Sequence, residues 1–133
     1  MASEYFEKVR EQLAELEIDV TEENAKETLF VVEDEDRGIK NLIIDCEDEL
    51  LVIEQIIFEI SGDNSSVFKR LLQMNRELVH GAFVLDENGK IVLFRDTLQL
   101  ANLDLNELEA SINALGLGLA MYADELIGFA KPA

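Results

Sequence analysis

The sequence predicts one α+β domain over residues 1–133, with elements in the order helix, three strands, helix, two strands, helix: α-β-β-β-α-β-β-α, an antiparallel sheet with packed helices. Three observations carry that expectation. Apolar residues recur at spacings of three and four at both ends of the chain, which marks helices buried along one stripe. Between them lie β-branched and aromatic runs separated by turns short enough for hairpins. A chain of 133 residues is room for one core and not two.

The elements follow in chain order. From Ser3 to about Ile18, Phe6, Val9, Leu13 and Leu16 form an apolar stripe, with Ser3 suited to the cap and Glu4 and Glu7 to the positive end of the helix. Asp19–Glu27 is polar and reads as a linking loop or a short extra turn. Thr28–Glu33, Ile39–Cys46 and Leu50–Ile60 read as a three-stranded meander joined by two acidic turns. Ser61–Ser66 is a breaker cluster in which Ser65 or Ser66 can cap a second helix running to about Val79. Val67, Phe68, Leu71, Leu72, Asn75 and Leu78 fall on or near its buried side. Asn88-Gly89 favours a two-residue hairpin turn, which sets Glu87 opposite Lys90, Leu85 opposite Val92 and Phe83 opposite Phe94. Asp104 and Glu107 are spaced as a capping box. From there Leu105, Leu108, Ile112, Leu115, Leu119, Tyr122, Leu126 and Phe129 form one stripe along a helix of about 25 residues, with Pro132 at its frayed end.

Composition excludes several function classes. The chain carries 29 acidic against 11 basic side chains, a formal net charge of −18, and is still 48% hydrophobic. Enough apolar surface exists to offset the entropy of ordering, so disorder is excluded. Nucleic acid and anionic membrane surfaces both draw binding from clustered Lys and Arg, which are scarce here. No stretch has the apolar length of a signal peptide core or a membrane span, so no membrane insertion is expected. One cysteine, Cys46, rules out an internal disulfide and suggests a cytoplasmic location. The acid is unevenly spread: residues 1–66 hold 20 acidic and 5 basic side chains, and residues 67–133 hold 9 and 6. That asymmetry reads as a solubilising shell on one half and points to the other half as the place for a protein partner.

No catalytic set, metal site or cofactor site assembles from the candidates. Asp34, Asp36 and Gly38 begin like a calcium loop, but glycine stands where the fifth position needs a ligand and no closing glutamate follows. Glu47-Asp48-Glu49 reads as an exposed turn. His80, at a helix end, and Cys46, among apolar and acidic neighbours that raise a thiol pKa, do not form a nucleophile pair. Gly116 and Gly118 lack the strand and the Lys-Ser/Thr of a phosphate loop and read as a packing notch within a helix. Lys69, Arg70, Arg76 and Arg95 make the one relatively basic region, expected to pair with the acidic surplus.

The strands speak for binding. Leu42-Ile43-Ile44 and Leu50-Leu51-Val52-Ile53 present apolar groups to both faces, and opposite Phe83 and Phe94 the second hairpin still carries Val84, Ile91 and Leu93. Helices could cover both faces, or cover one and leave the other for a partner. Val84, Ile91 and Leu93 are therefore the expected partner-binding residues.

The run from Phe68 to Lys90 (FKRLLQMNRELVHGAFVLDENGK), followed by Arg95-Asp-Thr-Leu and Asn102-Leu-Asp-Leu-Asn-Glu-Leu, resembles the YbjN and type III secretion chaperone-like (Tir-chaperone-like) superfamily, over roughly Tyr5 to Ala130. The resemblance implies a small, acidic, commonly dimeric α-β-β-β-α-β-β-α domain. Secretion members of that superfamily bind extended client segments along apolar grooves and hold them unfolded without ATP. Some relatives resemble companions of the PspA membrane-stress system. The expectation is thus a non-catalytic, homodimeric chaperone or adaptor for a client or partner protein. The alternative is a small-ligand or ion-responsive regulatory domain with Asp34–Asp36 and Glu47–Glu49 as its sensor.

Overall fold

Six strands, one more than expected, form a single antiparallel sheet in a computed structural model that describes residues 2–60 and 64–130. The elements are α1 (Ala2–Glu15), β1 (Asp19–Asn24), β2 (Leu29–Asp34), β3 (Ile39–Glu47), β4 (Leu50–Glu59), α2 (Ser65–Asn75), β5 (Ala82–Leu85), β6 (Ile91–Gln99), α3 (Leu105–Met121) and α4 (Ala123–Ala130). The strand order is β1-β2-β3-β4-β6-β5. The chain therefore leaves β4, passes through α2 to the far edge, and returns as β6 to pair with β4 over Leu50–Glu59.

The extra strand is the stretch expected to be a loop. Asp19–Asn24 has one large apolar side chain, Val20, and shows no alternation, because an edge strand need not bury a face. Its place is set by pairing with β2, by the Thr21 hydroxyl donating to the Val31 carbonyl, and by Arg10 of α1 donating to both oxygens of Glu23 at 2.8 and 2.7 Å. The meander expected after it is present to within one or two residues at every strand end.

Each helix departs from its expected span for a local reason. α1 already begins at Ala2, so Ser3 lies inside its first turn and not at a cap. α2 is preceded by Asn64 at the cap position, leaving Ser65 and Ser66 as its first helical residues. The expected breaker positions Ser61–Asp63, like Pro132, lie outside the described residues. α2 ends at Asn75, four residues early, because the Asn75 carboxamide accepts from the Phe83 N–H at 2.7 Å and donates to the Phe83 carbonyl at 3.1 Å. Met74 is fully buried in place of Leu72, which is 70% exposed. The long final stripe is divided at Tyr122 (φ −113, ψ 16) into α3 and α4. The stripe stays apolar through the break, so α4 still presents Leu126 to the core and sets Phe129 6.1 Å from the Phe58 ring.

All four helices contribute to one core on one side of the sheet. Phe6 stacks on Phe30 at 4.4 Å, Leu71 and Met74 join Phe83 in the cluster, and Leu108, Ile112 and Leu115 are fully buried. The strands supply alternate residues to this side: Phe30 and Val32, Leu42 and Ile44, Leu51 and Ile53, Val92 and Phe94. The capping box of α3 is formed as expected, with Glu107 N–H donating to Asp104 Oδ1 at 2.7 Å and Asp104 N–H to Glu107 Oε1 at 3.3 Å.

In the second hairpin the pairs Phe83–Phe94 and Leu85–Val92 form as expected. The tip differs. Of Asn88 and Gly89 only Gly89 has positive φ (70°), and its N–H closes a turn onto the Asp86 carbonyl at 3.0 Å. The Asp86 carboxylate accepts from the Lys90 and Ile91 N–H groups at 2.8 and 3.0 Å, so backbone amides organise the tip in place of a Glu87–Lys90 charge pair. These bonds hold the Asp86 carboxyl below its usual value.

Candidate protein-binding surface

With the helices on one side, the alternate residues of each strand face away from them. Register places Val84 opposite Leu93 and Leu93 opposite Ile56, an apolar row across β5, β6 and β4. The next row runs Arg95, Glu54, Ile43, Val31, Glu22 across β6, β4, β3, β2 and β1. Ile56 is 62% and Ile43 39% exposed. The expected residues Val84 and Leu93 are thus neighbours on the open face, each half-buried, and Ile91 stands at the end of the ladder opposite Glu59. Ile56 and Ile43 belong to the same surface but were not singled out from the sequence. Their own strands show an apolar residue on both faces, and only the β4–β6 and β3–β4 registers say which faces meet.

Acid surrounds this band. Glu22, Asp45, Glu47, Glu54 and Glu59 occupy the same face, and the base that shares these rows is Arg95. The Asp45 carboxyl is raised above the usual carboxylate value, by desolvation first and then by the charges of Glu47, Glu54 and Glu27. The open face therefore carries the apolar row Val84–Leu93–Ile56 and, in the next row, Ile43 and Val31 beside Glu54, with carboxylates among and around them.

A second apolar surface adjoins it at the sheet edge. Phe68, Leu71 and Leu72 of α2 and Phe83, Val84 and Leu85 of β5 line a groove of about 300 Å³ with no charged residue in its wall.

Several of the remaining candidates are tied into the fold. Arg37 donates to Asp34 Oδ2 at 2.9 Å and to the Leu16 carbonyl at 3.3 Å, and reaches Glu109 of α3 at 3.5 Å, so the Asp34–Gly38 turn is tied into the structure. Among the described residues no group of three or more His, Cys, Asp or Glu side chains could hold a metal ion. Burial, with a contribution from Asp45, pushes the Cys46 thiol up to about 11, while His80 is exposed in the turn after α2. Gly116 is a packing notch, as expected: a Cβ there would strike the Arg37 carbonyl oxygen. A Cβ at Gly118 would meet Leu78 Cδ2 at 3.1 Å. Of the basic region, Arg70 pairs with Glu125 at 2.8 and 2.9 Å and lies 5.6 Å over the Tyr122 ring, so that arginine is spent within the fold.

A six-stranded antiparallel sheet with helices on one face and an open apolar face defines a chaperone-like α+β domain, and sequence comparison agrees. The chain belongs to the CesT_Tir_1 family, whose profile matches residues 2–132. No curated protein matches the sequence. Among solved structures the chain is similar to YbjN from E. coli, with 13% identity, 95% of each chain covered and a TM-score of 0.68. It is also similar to a chain of the HopA1–SchA chaperone–effector complex (16% identity, 96% of this chain and 94% of that one, TM-score 0.59). A third likeness is to a chain of the heterodimeric ExoU–SpcU complex of the Pseudomonas aeruginosa type III secretion system (16% identity, 69% and 75% covered, TM-score 0.55). At these identities the likeness is one of fold. Among the described residues no helix is long and apolar enough to cross a membrane.

Proposed function

We propose that this protein is a non-catalytic chaperone or adaptor that binds a client protein by burying the client's apolar side chains on the open face of its sheet. The observation that carries this reading is the row Val84–Leu93–Ile56, with Ile43 in the row beside it, on the side of the sheet away from the helices. Ile91 extends it at the end of the ladder. Family membership and the chaperone–effector complexes among the similar structures support a protein-binding role. Binding would need no cofactor, since burial of apolar area supplies the driving force. The surrounding carboxylates keep the unliganded face from self-associating. The uncharged α2–β5 groove, with Leu72 and Leu85 exposed beside it, is where a second copy would pack to give a homodimer. A buried Cys46, its thiol pushed up to about 11 by burial, fits a reducing cytoplasm.

Affinity capture from extract of the source cell tests the reading. Wild type is expected to retain a protein in stoichiometric amount, and Leu93→Asp or Ile56→Asp to lose it, Ile56→Asp, at a side chain 62% exposed, while keeping the wild-type melting temperature. Recovery of no such protein, or undiminished recovery by both variants, overturns it. Light scattering coupled to size exclusion tests the dimer: wild type should run at twice the chain mass and Leu72→Glu at the chain mass. A monomeric wild type at micromolar concentration refutes that part.

A further inference from the structure

We propose that the occupant of the open sheet face is an amphipathic helix whose apolar stripe is bordered by lysine or arginine. This rests on the reading of that face as the client-binding surface and names the kind of client segment it takes. Backbone pairing and charge together select this occupant.

β2, β3, β4 and β6 are each paired on both sides, so the face they make offers side chains but no free backbone N–H or C=O. An extended segment lying across it would bury peptide groups without partners, at about 1–3 kcal/mol for each one left unmet. A helix satisfies those groups internally. An extended segment could pair only at an outer edge. At β5 that edge is already partly used, because the Asn75 carboxamide takes both the N–H and the carbonyl of Phe83. The other edge, β1, lies at the opposite end of the sheet from the row Val84–Leu93–Ile56.

The dimensions suit a helix. From Val84 on β5 through Leu93 to Ile56 on β4, and one row further on, past Glu54, through Ile43 to Val31 on β2, the apolar residues cross five strands. At a spacing of about 4.8 Å that is about 19 Å. About 13 helical residues, each rising ~1.5 Å, span it, which is an ordinary helix length.

Charge decides the rims. Glu22, Asp45, Glu47, Glu54 and Glu59 flank or interrupt the band against the single Arg95 of the same rows. Among the described residues none of these five carboxylates forms an ion pair, so the field is not neutralised within the fold. A second copy laid face to face would set these carboxylates against themselves. A helix with Lys or Arg beside its apolar stripe brings the opposite sign to the same places, with stems that cover apolar surface.

The test uses two synthetic peptides of about 18 residues that share one leucine stripe, with rims of lysine in one and glutamate in the other, read by fluorescence anisotropy at about 50 and about 300 mM NaCl. The lysine peptide should bind, at least about tenfold more tightly than the glutamate peptide, and should weaken at the higher salt. Leu93→Asp, which makes the protein more acidic, should nevertheless lose the lysine peptide, and a central proline in that peptide should abolish binding. The double variant Asp45→Asn/Glu54→Gln should bind it severalfold more weakly. Equal binding of both peptides overturns the charge selection and leaves the client-binding reading intact. Undiminished binding to Leu93→Asp shows mere attraction to an acidic protein and overturns the docking site, and binding of the proline peptide overturns the helix. Binding of neither peptide overturns the inference outright, while client capture that is lost in Leu93→Asp would still uphold the reading beneath it.

Discussion

Replacing Gly116 by alanine sets two opposed effects against each other. In the interior of α3 alanine improves helix propensity by about 1 kcal/mol. The new Cβ, however, would fall on the Arg37 carbonyl oxygen. The Cβ is fixed by the helix backbone and its opponent is a backbone oxygen, so neither a rotamer change nor a flexible tip relieves the overlap, and overpacking of this kind costs about 1–3 kcal/mol. Relief also means moving the turn whose Arg37 bonds Asp34 and Leu16. We expect the packing effect to win, with a net loss of about 1–2 kcal/mol. Gly128 supplies the control: nothing stands within 4 Å of its added Cβ, so Gly128→Ala should gain ~0.5–1 kcal/mol. Gly118→Ala should fall between them, because Leu78 Cδ2 at 3.1 Å is the end of a movable side chain. In urea unfolding, with a slope of about 1.5 kcal/mol/M, the midpoint should drop by about 1 M for Gly116→Ala and rise by ~0.5 M for Gly128→Ala. A midpoint that rises for Gly116→Ala would show that α3 and the Asp34–Gly38 turn do not meet as described.

Three further outcomes follow from the same geometry. Asn75→Ala leaves the Phe83 N–H and carbonyl without their partner and should cost ~1–3 kcal/mol, visible as a lower thermal midpoint; an unchanged midpoint refutes the edge-capping role. Asp45→Asn should stabilise the protein near pH 7. The carboxyl is raised in the folded state above its ordinary value of 3.8, so its charge opposes folding above that folded value. The gain should fade as pH falls through the raised folded value and be gone by about 3.8, and a destabilised variant at pH 7 would contradict the open-face electrostatics. Cys46, with its thiol near 11, should react with a disulfide reagent at pH 8 at least about a hundredfold more slowly in the folded chain than in urea; comparable rates would show the β3 face to be open to solvent.

Local chemistry in this sequence was legible at the α3 cap and in the second hairpin's register, and less so at the caps of α1 and α2 and at the hairpin tip. Asp104 and Glu107 form the capping box their spacing announces, and Phe83–Phe94 and Leu85–Val92 pair as the hairpin register requires. What stayed hidden depends on contacts distant in sequence. β1 shows no alternation because its order comes from β2 and from Arg10. The break at Tyr122 leaves no mark in an unbroken apolar stripe, since α4 turns only to follow the core. Leu72 and Met74 exchanged places because propensity cannot tell which side of α2 meets β5. The candidate surface was half visible: Val84 and Leu93 lie together as the hairpin implied, whereas Ile56 and Ile43 join them only through the β4 pairings. The charge asymmetry needed correcting for the same reason. Glu22, Asp45, Glu47, Glu54 and Glu59 come from the acidic half, yet they share a face with Leu93 and Val84 of the near-neutral half, so the acid borders the apolar band instead of shielding a separate part of the molecule.

The late return of β6 to β4 has a consequence for the newborn chain. When the ribosome has released residues up to Glu59, β4 already holds β3 on one side, but its other side lacks a partner until Ile91–Gln99 emerges, after α2 and β5. For those tens of residues, about a few seconds of synthesis, a strand reading LLVIEQIIFE offers unpaired amides and carbonyls to any neighbour. The acidic first half then acts as an insurance on growth: it repels a second unfinished copy at the moment when edge pairing between chains is most dangerous. A fragment ending near residue 60 should for the same reason be harder to keep in solution than the whole chain, and more so in high salt, where that repulsion is screened.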